Sequence, residues 1–269
     1  MDYTHIDVEV RDRVGWLWLD RPDKRNALSP DMWEDLPAAV ATLAENEEVR
    51  SLVVAGRGQA FTVGIDLAML VELAPKGRSE TETRQLVYRQ IRQLQTSMSA
   101  LADCSKPVVA AIHGYCLGAG IDLITACDIR LAAADAVFSI RETRMALVAD
   151  VGTLQRLPGI VGAGHVAELA FTGRDIDAGR AREIGLVNDV YPDVDLLHEA
   201  AGELAAEIAA NSPLAVEGTK SVLRAGADMS IEQALDHVAL WNAAFLHSND
   251  LSEAVAAFAD KRPPEFTGT

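Results

Sequence analysis

The chain has 269 residues, of which 49% are hydrophobic and 24% are charged, a composition typical of a folded globular protein. Lysine and arginine together number 24, against 40 aspartate and glutamate residues, which gives a formal charge of −16. A field of that sign repels the phosphates of nucleic acids, and no cluster of five or more basic residues interrupts it. We therefore expect no nucleic acid partner, and an anionic ligand needs local positive groups or helix N-termini.

The three cysteines, Cys104, Cys116 and Cys127, form neither a CxxC pair nor a zinc-ligand spacing with histidine. We therefore expect free thiols, no disulfide framework and no metal site. Residues 1–13 are polar and lack the apolar core of a signal peptide, and no stretch is long and apolar enough to span a bilayer. We expect a cytoplasmic protein that does not associate with membranes.

Short apolar runs alternate with helical periodicity over the first two thirds of the chain. Strands are predicted at residues 5–11 and 14–20, which would form a hairpin, and at residues 51–55, 108–113, 128–134 and 136–140. Ser29 and Pro30 predict the start of a helix, Pro37 predicts a kink or a restart within it, and residues 81–101 predict a long amphipathic helix. This alternation is typical of an α/β protein with a parallel sheet.

The last third of the chain is predicted to be helical. Helices are expected at residues 195–210, after the Asn211-Ser212-Pro213 cap, and after the capping box formed by Ser230 and Gln233. In the last of these, an apolar stripe through Val238, Trp241 and Phe245 needs a surface to pack on, either in its own domain or in a neighbouring subunit. We therefore divide the chain into a core of residues 1–195 and a helical oligomerisation region of residues 196–269.

Two glycine-containing turns, residues 56–67 and residues 113–122, each follow a predicted buried strand and precede a predicted helix. Ligand sites of α/β proteins gather at this end of a sheet. The second turn lacks the G-x-G-x-x-G spacing of dinucleotide-binding proteins. If each turn donated one backbone N–H to the same point, the pair would form an oxyanion hole, although either turn is also an ordinary strand-to-helix connection.

Three acidic residues, Asp122, Glu142 and Asp150, follow these strands and turns. Each also has a structural interpretation. Asp122 would complement a helix dipole, Glu142 would pair with Arg141 or Arg144 at the surface, and Asp150 would cap a helix that begins near Thr153. Composition alone does not choose between these interpretations, because the chain has 40 acidic residues.

Five segments in this order provide a more specific signal: residues 21–28 (RPDKRNAL), 60–67 (AFTVGIDL), 114–129, 152–157 (GTLQRL) and 185–187 (GLV). Together they resemble the crotonase (enoyl-CoA hydratase/isomerase) superfamily over nearly the whole chain. The resemblance implies a spiral of ββα turns, a C-terminal helical trimerisation region and an acyl-CoA thioester as ligand, with a homotrimer or hexamer as the assembly. It also implies that the backbone amides of Ile65 and Ala119 form the oxyanion hole. The residues it places around CoA and the substrate are Arg25, Ala27, Val63, Gly64, Ile65, Asp66, Leu67 and Gly118.

The acidic positions indicate a branch within that superfamily. Hydratases have glutamate at the positions of residues 122 and 142, whereas this chain has Asp122 and carries a third acid, Asp150, where hydratases have glycine. The three acids together resemble the Δ3,5-Δ2,4-dienoyl-CoA isomerase branch. Arg144 departs from that branch, which has aspartate there, and its side chain would either hold Glu142 ionised or turn to solvent.

The resemblance implies an isomerase that needs no metal or redox cofactor. CoA is part of its substrate. We assign proton removal at C2 to Glu142 and proton return at C6 to Asp150, and the reverse assignment is also open. Asp122 would raise the pKa of its acidic neighbours. The alternatives are an enoyl-CoA hydratase, a Δ3-Δ2-enoyl-CoA isomerase that uses Glu142 alone, and an acyl-CoA-binding protein without catalytic activity.

Overall fold

A six-stranded sheet lies at the centre of the computed structural model, which describes residues 3–72 and 76–269. The strands are β1 (Ile6–Arg11), β2 (Val14–Leu19), β3 (Ser51–Gly56), β4 (Val108–Ile112), β5 (Tyr115–Leu117), β6 (Ile129–Ala133), β7 (Val137–Ser139), β8 (Ile176–Asp177) and β9 (Asp189–Tyr191). The large sheet has the order β1-β2-β3-β4-β6-β9 and is parallel apart from the β1–β2 hairpin. A small second sheet has the order β5-β7-β8.

Helices cover both faces of the large sheet. They are α1 (Pro30–Glu45), α2 (Leu67–Glu72), α3 (Glu80–Asp103), α4 (Ala119–Thr125), α5 (Thr153–Arg156), α6 (Ala163–Thr172), α7 (Ala178–Glu183), α8 (Val194–Ala210), α9 (Pro213–Gly226), α10 (Ile231–Phe245) and α11 (Asn249–Asp260). Strand β2 is buried along its whole length because its side chains alternate between two cores. Leu17 and Leu19 face the core that contains α1 and α3, and Trp16 and Trp18 face the core under α8.

The predicted hairpin, the four other predicted strands and the long helix are confirmed. Strands β5, β8 and β9, which have three residues or fewer, are not predicted from the sequence. Strand β5 lies inside the second glycine-containing turn, between Gly114 (φ +55°) and Gly118 (φ +53°). Such short strands show no periodicity, and their pairing with distant partners defines them.

Helix α1 continues through Pro37 without a restart. Proline has no N–H to donate to the carbonyl four residues earlier, which here belongs to Trp33. The Ser97 hydroxyl of α3 donates to that carbonyl over 2.7 Å in a buried position. Helix α3 therefore satisfies the acceptor that Pro37 leaves without an intrahelical partner, and the helix remains continuous.

Beyond β9 the described chain is helical, as predicted. Helix α8 buries Leu197, Ala201 and Ala205 against the large sheet, so this helix is part of the core packing. Trp241 of α10 is half-buried and packs on Gly218 of α9, where any larger side chain would overlap the indole. The division of function at residue 196 stays a prediction. Within the described residues, no helix has the length and apolar character needed to cross a bilayer.

Removing the Ser97 hydroxyl should destabilise the fold because it leaves the Trp33 carbonyl buried and unsatisfied. We expect Ser97→Ala to lower the free energy of unfolding by about 1–3 kcal/mol, measured by urea denaturation. In a Pro37→Ala background the new N–H can serve the same carbonyl, so the cost of Ser97→Ala should shrink. An equal cost in both backgrounds would contradict this explanation.

Candidate active site

The two glycine-containing turns lie side by side and are hydrogen-bonded to each other. The Thr62 N–H donates to the Tyr115 carbonyl over 2.9 Å, and the Leu117 N–H donates to the Thr62 carbonyl over 3.1 Å. Gly64 has a φ of +90°, and a Cβ there would lie 2.6 Å from the Leu117 carbonyl oxygen and 3.3 Å from the Ala119 nitrogen. Only glycine fits this contact, which brings the backbone before Ile65 against the backbone at Ala119.

The backbone amides of Ile65 and Ala119 are both available as donors. Leu28 bonds to the two neighbours of Ile65: its N–H donates to the Gly64 carbonyl over 2.8 Å, and its carbonyl accepts from the Asp66 N–H over 3.1 Å. Ala119 is the first residue of α4, where an N–H has no intrahelical acceptor. Within the described chain, neither amide donates a hydrogen bond to protein. This arrangement fits an oxyanion hole, and that role stays a prediction.

Asn26, which the sequence analysis did not single out as a site residue, holds the first turn in place. Its side chain is fully buried and donates to the carbonyls of Arg57 (2.9 Å) and Ala60 (2.8 Å), while its oxygen accepts from the Arg21 N–H over 2.8 Å. Its own carbonyl accepts from the Thr62 hydroxyl over 2.5 Å. Asparagine also tolerates the φ of +55° found at this position. An asparagine within a turn segment was the available signal, but its partners on the first glycine-containing turn lie more than 30 residues away.

The predicted substrate-binding residues divide between the two turns. Arg25, Ala27, Val63, Gly64, Ile65, Asp66 and Leu67 lie on or beside the first turn, and Gly118 lies on the second. The Arg25 guanidinium is exposed and lies 5.9 Å from the centre of the Tyr115 ring. Leu67 is also exposed, so these two side chains are accessible to a ligand.

The Asp66 carboxylate is already engaged within the protein. It pairs with the Arg21 guanidinium over 2.6 Å and accepts from the Ala68 N–H over 3.0 Å, at the start of α2. The hydrogen bond from Arg21 is the main reason why the pKa of Asp66 is lowered. Arg21 also donates to the Ala27 carbonyl over 3.0 Å and so ties the two predicted positions together. Asp66 therefore caps α2, and its contact with a ligand stays a prediction.

Asp122 is buried in the first turn of α4. One carboxyl oxygen accepts from the Thr153 N–H at the start of α5 over 2.6 Å, and the other has no partner among the described residues. Burial raises the pKa of Asp122, whereas the contact with Thr153 and the nearby Arg156 act in the opposite direction. Asp122 therefore also positions the segment that follows Asp150.

Glu142 begins a short 3₁₀ turn next to the second glycine-containing turn, and one of its carboxyl oxygens lies 3.5 Å from where a Gly118 Cβ would stand. Its other oxygen is buried without a hydrogen-bond partner among the described residues. Burial raises the pKa of Glu142 to about 7, and the charges of Asp122 and Asp150 add to that shift. This carboxyl group can therefore hold or release a proton near neutral pH.

The two arginines beside Glu142 do not neutralise it. Arg141 pairs with Asp175 over 2.8 Å, and Arg144 donates to the Thr172 carbonyl over 3.3 Å. The surface ion-pair interpretation of Glu142 is therefore wrong. Two options were open for Arg144, namely a contact with Glu142 or a turn to solvent. Its side chain is exposed and turns away from the Glu142 carboxylate.

Asp150 is the most exposed of the three acids. It does not cap α5, because Gly152 occupies the cap position and the Thr153 N–H is bound by Asp122. Local burial still raises the pKa of Asp150. The structure thus brings three carboxyl groups with raised pKa values to one region beside two free backbone N–H donors. Within the described residues, no group of three or more histidine, cysteine, aspartate or glutamate side chains is arranged to hold a metal ion.

Comparison with known proteins finds relatives over nearly the whole chain. The family model for enoyl-CoA hydratase/isomerase matches residues 9–269. A mitochondrial Delta(3,5)-Delta(2,4)-dienoyl-CoA isomerase of Dictyostelium discoideum is 43% identical, over 98% of this chain and 92% of that protein. A peroxisomal protein of the same name from Arabidopsis thaliana is 44% identical, over 93% of this chain and 91% of its own length.

Among solved structures, an enoyl-CoA hydratase of Bacillus anthracis superposes with a TM-score of 0.90 at 33% identity, covering 99% of this chain and all of that one. The α/β crotonase-type fold with a C-terminal helical region, predicted from the sequence, is confirmed by this similarity. The match of the family model over nearly the whole chain supports the same assignment. The chain belongs to the enoyl-CoA hydratase/isomerase family.

Proposed function

We propose that this protein is an isomerase that converts 3,5-dienoyl-CoA to 2,4-dienoyl-CoA. The observation that carries the proposal is the set of three carboxyl groups, Asp122, Glu142 and Asp150, with raised pKa values beside two free N–H donors. The two dienoyl-CoA isomerases compared above are 43% and 44% identical over most of the chain, against 33% for the structurally similar hydratase.

The reaction moves one proton out of the substrate and one in. The Glu142 carboxylate removes a proton from C2, and the electron pair moves into the thioester carbonyl to form an enolate. The Ile65 and Ala119 N–H groups stabilise the enolate oxygen, and such donors contribute about 3–4 kcal/mol each in other enzymes. The Asp150 carboxyl group then gives a proton to C6, the carbonyl reforms, and the double bonds lie at C2 and C4. The step is redox-neutral, so we propose no cofactor beyond the CoA of the substrate.

Two acids are needed because C2 and C6 are separated along an extended chain. Glu142 lies beside Gly118, next to the proposed oxyanion donor Ala119, which supports a role at the thioester end. Asp150 lies on a separate turn and is more exposed, which suits the far end of the diene. The pKa values of all three acids are raised, and repulsion between the neighbouring charges disfavours ionisation of the whole group, which supports the sharing of a proton among them.

The contact between Asp122 and Thr153 argues against the hydratase alternative. A hydratase needs two carboxylates that hold the attacking water between them, whereas one oxygen of Asp122 is occupied by the Thr153 N–H over 2.6 Å. A binding protein without catalytic activity would gain nothing from carboxyl groups that are costly to bury. We therefore retain these two alternatives, and the Δ3-Δ2-enoyl-CoA isomerase, only as outcomes of the test.

The cellular location is expected from the sequence alone. The names of the two compared isomerases place those proteins in a mitochondrion and a peroxisome. The cytoplasmic location expected from the sequence stays a prediction.

We also propose assembly into homotrimers or hexamers through the helical region. Helix α10 buries none of its residues fully, and the side chains of Ile231, Leu235, Leu240 and Phe245 are exposed. Phe258 of α11 is 88% exposed. Copies of this chain would cover these apolar side chains, which water solvates poorly.

The proposed roles predict that Asp150→Asn blocks isomerisation without blocking binding. We expect kcat to fall about 10²–10⁴-fold, measured by the change in ultraviolet absorbance of 3,5-dienoyl-CoA, because asparagine cannot return the proton. Deuterium exchange at C2, followed by NMR, should persist because Glu142 and the oxyanion donors remain. Asp31→Asn, at an exposed site in the first turn of α1, is the matched control.

Near wild-type activity of Asp150→Asn would return Asp150 to a structural role and favour a reaction that uses Glu142 alone. Hydration of crotonyl-CoA by the wild type, without turnover of 3,5-dienoyl-CoA, would favour the hydratase. Binding of both thioesters without turnover would favour the binding protein.

The assembly is tested separately by sedimentation at micromolar concentration. We expect a trimer or a hexamer, and Leu240→Glu should shift the distribution to smaller species because it places a charge among the exposed apolar side chains. A wild-type monomer under these conditions would overturn the proposed assembly and leave the proposed chemistry untouched.

A further inference from the structure

The turn that carries Asp150, residues 149–153, is held from one side by buried neighbours. Ala149, Val151 and Thr153 are buried, and Asp150 between them is exposed. Gly152 has a φ of +137°, and the space beside its Cα is filled by the Arg156 guanidinium. The buried residues therefore fix this turn on the side that faces the core. The orientation of the Asp150 side chain then depends on what holds the backbone carbonyl of Asp150.

A side chain of α3 holds that peptide group. The Gln95 amide nitrogen donates to the Asp150 carbonyl over 2.6 Å. The amide oxygen of Gln95 accepts from the Arg92 guanidinium over 2.7 Å. Arginine is a donor only, so the contact with Arg92 fixes which end of the amide faces Asp150.

Helix α3 is a rigid support for this contact. Leu94, Met98 and Leu101 bury one face of the helix in the main core. Ser99, four residues after Gln95, accepts from the Arg156 guanidinium over 2.8 Å. Two residues one helical turn apart therefore hold the two ends of the segment from Asp150 to Arg156.

We propose that Gln95 is a positioning residue that sets the reach of the Asp150 carboxyl group toward the substrate. This inference rests on the proposed function. Gln95 does not touch the reacting atoms, and it acts by fixing the backbone from which the Asp150 side chain extends. Because the Asp150 carbonyl lies near the surface, water can replace Gln95 as its donor, so the fold should tolerate the loss of Gln95. Proton transfer should not tolerate it, since a displacement of about 1 Å can cost about 10²-fold in rate.

Two substitutions remove the donor in different ways. Gln95→Met keeps the length of the side chain and leaves Arg92 without its acceptor. Gln95→Glu keeps an acceptor for Arg92 and removes the donor to Asp150. We expect both to lower kcat for dienoyl-CoA isomerisation about 10- to 100-fold, with KM and the midpoint of thermal unfolding nearly unchanged. The matched control is Gln93→Met, an exposed position on the same helix.

Deuterium exchange into the substrate separates positioning from a general structural role. We expect the Gln95 variants to slow exchange only at the carbon where Asp150→Asn abolishes it, and to leave exchange at the other carbon unchanged. Adding Gln95→Met to Asp150→Asn should then have no further effect. Equal losses at both carbons, a further loss in the double variant, or no loss of activity would each overturn the role of Gln95. If the wild type does not isomerise 3,5-dienoyl-CoA, the proposed function and this inference fall together, whereas an active wild type with unaffected Gln95 variants overturns this inference alone.

Discussion

The site depends on the burial of carboxyl groups that have no ion-pair partner among the described residues. Removing Asp122 and Glu142 from water penalises their charged forms, which raises the pKa of both and brings that of Glu142 to about 7. The neutral form of Glu142 is then favoured in the fold. Glu142 therefore ionises less readily in the folded chain than in the unfolded chain. As the pH rises from its ordinary pKa of 4.5 to about 7, the free energy of unfolding falls, and above that range it is lower by about 3 kcal/mol. The same penalty makes proton transfer possible near neutral pH.

Hydrogen bonds of buried polar side chains hold the backbone around these carboxyl groups in place. Asn26 joins the first glycine-containing turn to the segment before α1, and Thr62 pairs that turn with the second. Asp122 links α4 to the start of α5 through the Thr153 N–H. Asp122 thus both raises the pKa of Glu142 and holds the segment that carries Asp150. The proposed oxyanion donors and the acids proposed to transfer protons are held by the same set of contacts.

The features that the sequence predicts correctly are those with local causes. Ser29 caps α1, Ser230 and Gln233 form the capping box of α10, and the alternation in β1 and β2 defines a hairpin, because each signal lies within a few residues. The sequence misses β5, β8 and β9, and the roles of Asn26 and Gln95, since their partners lie far along the chain. The direction of Arg144 and the continuity of α1 through Pro37 also depend on distant residues, Thr172 and Ser97. The three acids were found through the resemblance to a family, since composition does not separate them from the other acidic residues of the chain.

Burial raises the pKa of Glu142 to about 7, so that this group can both take up and release a proton near neutral pH, and the proposed chemistry depends on this property. The most direct measurement is a ¹³C NMR titration of the side-chain carboxyl groups of the ligand-free protein labelled with ¹³C at the glutamate δ-carbon, with Glu142→Gln used to assign the resonance. We predict a midpoint near 7 for the signal that this substitution removes. A midpoint near the ordinary value of 4.5 would contradict this, because the carboxylate would then be solvated and a much weaker base than proton transfer near neutral pH requires.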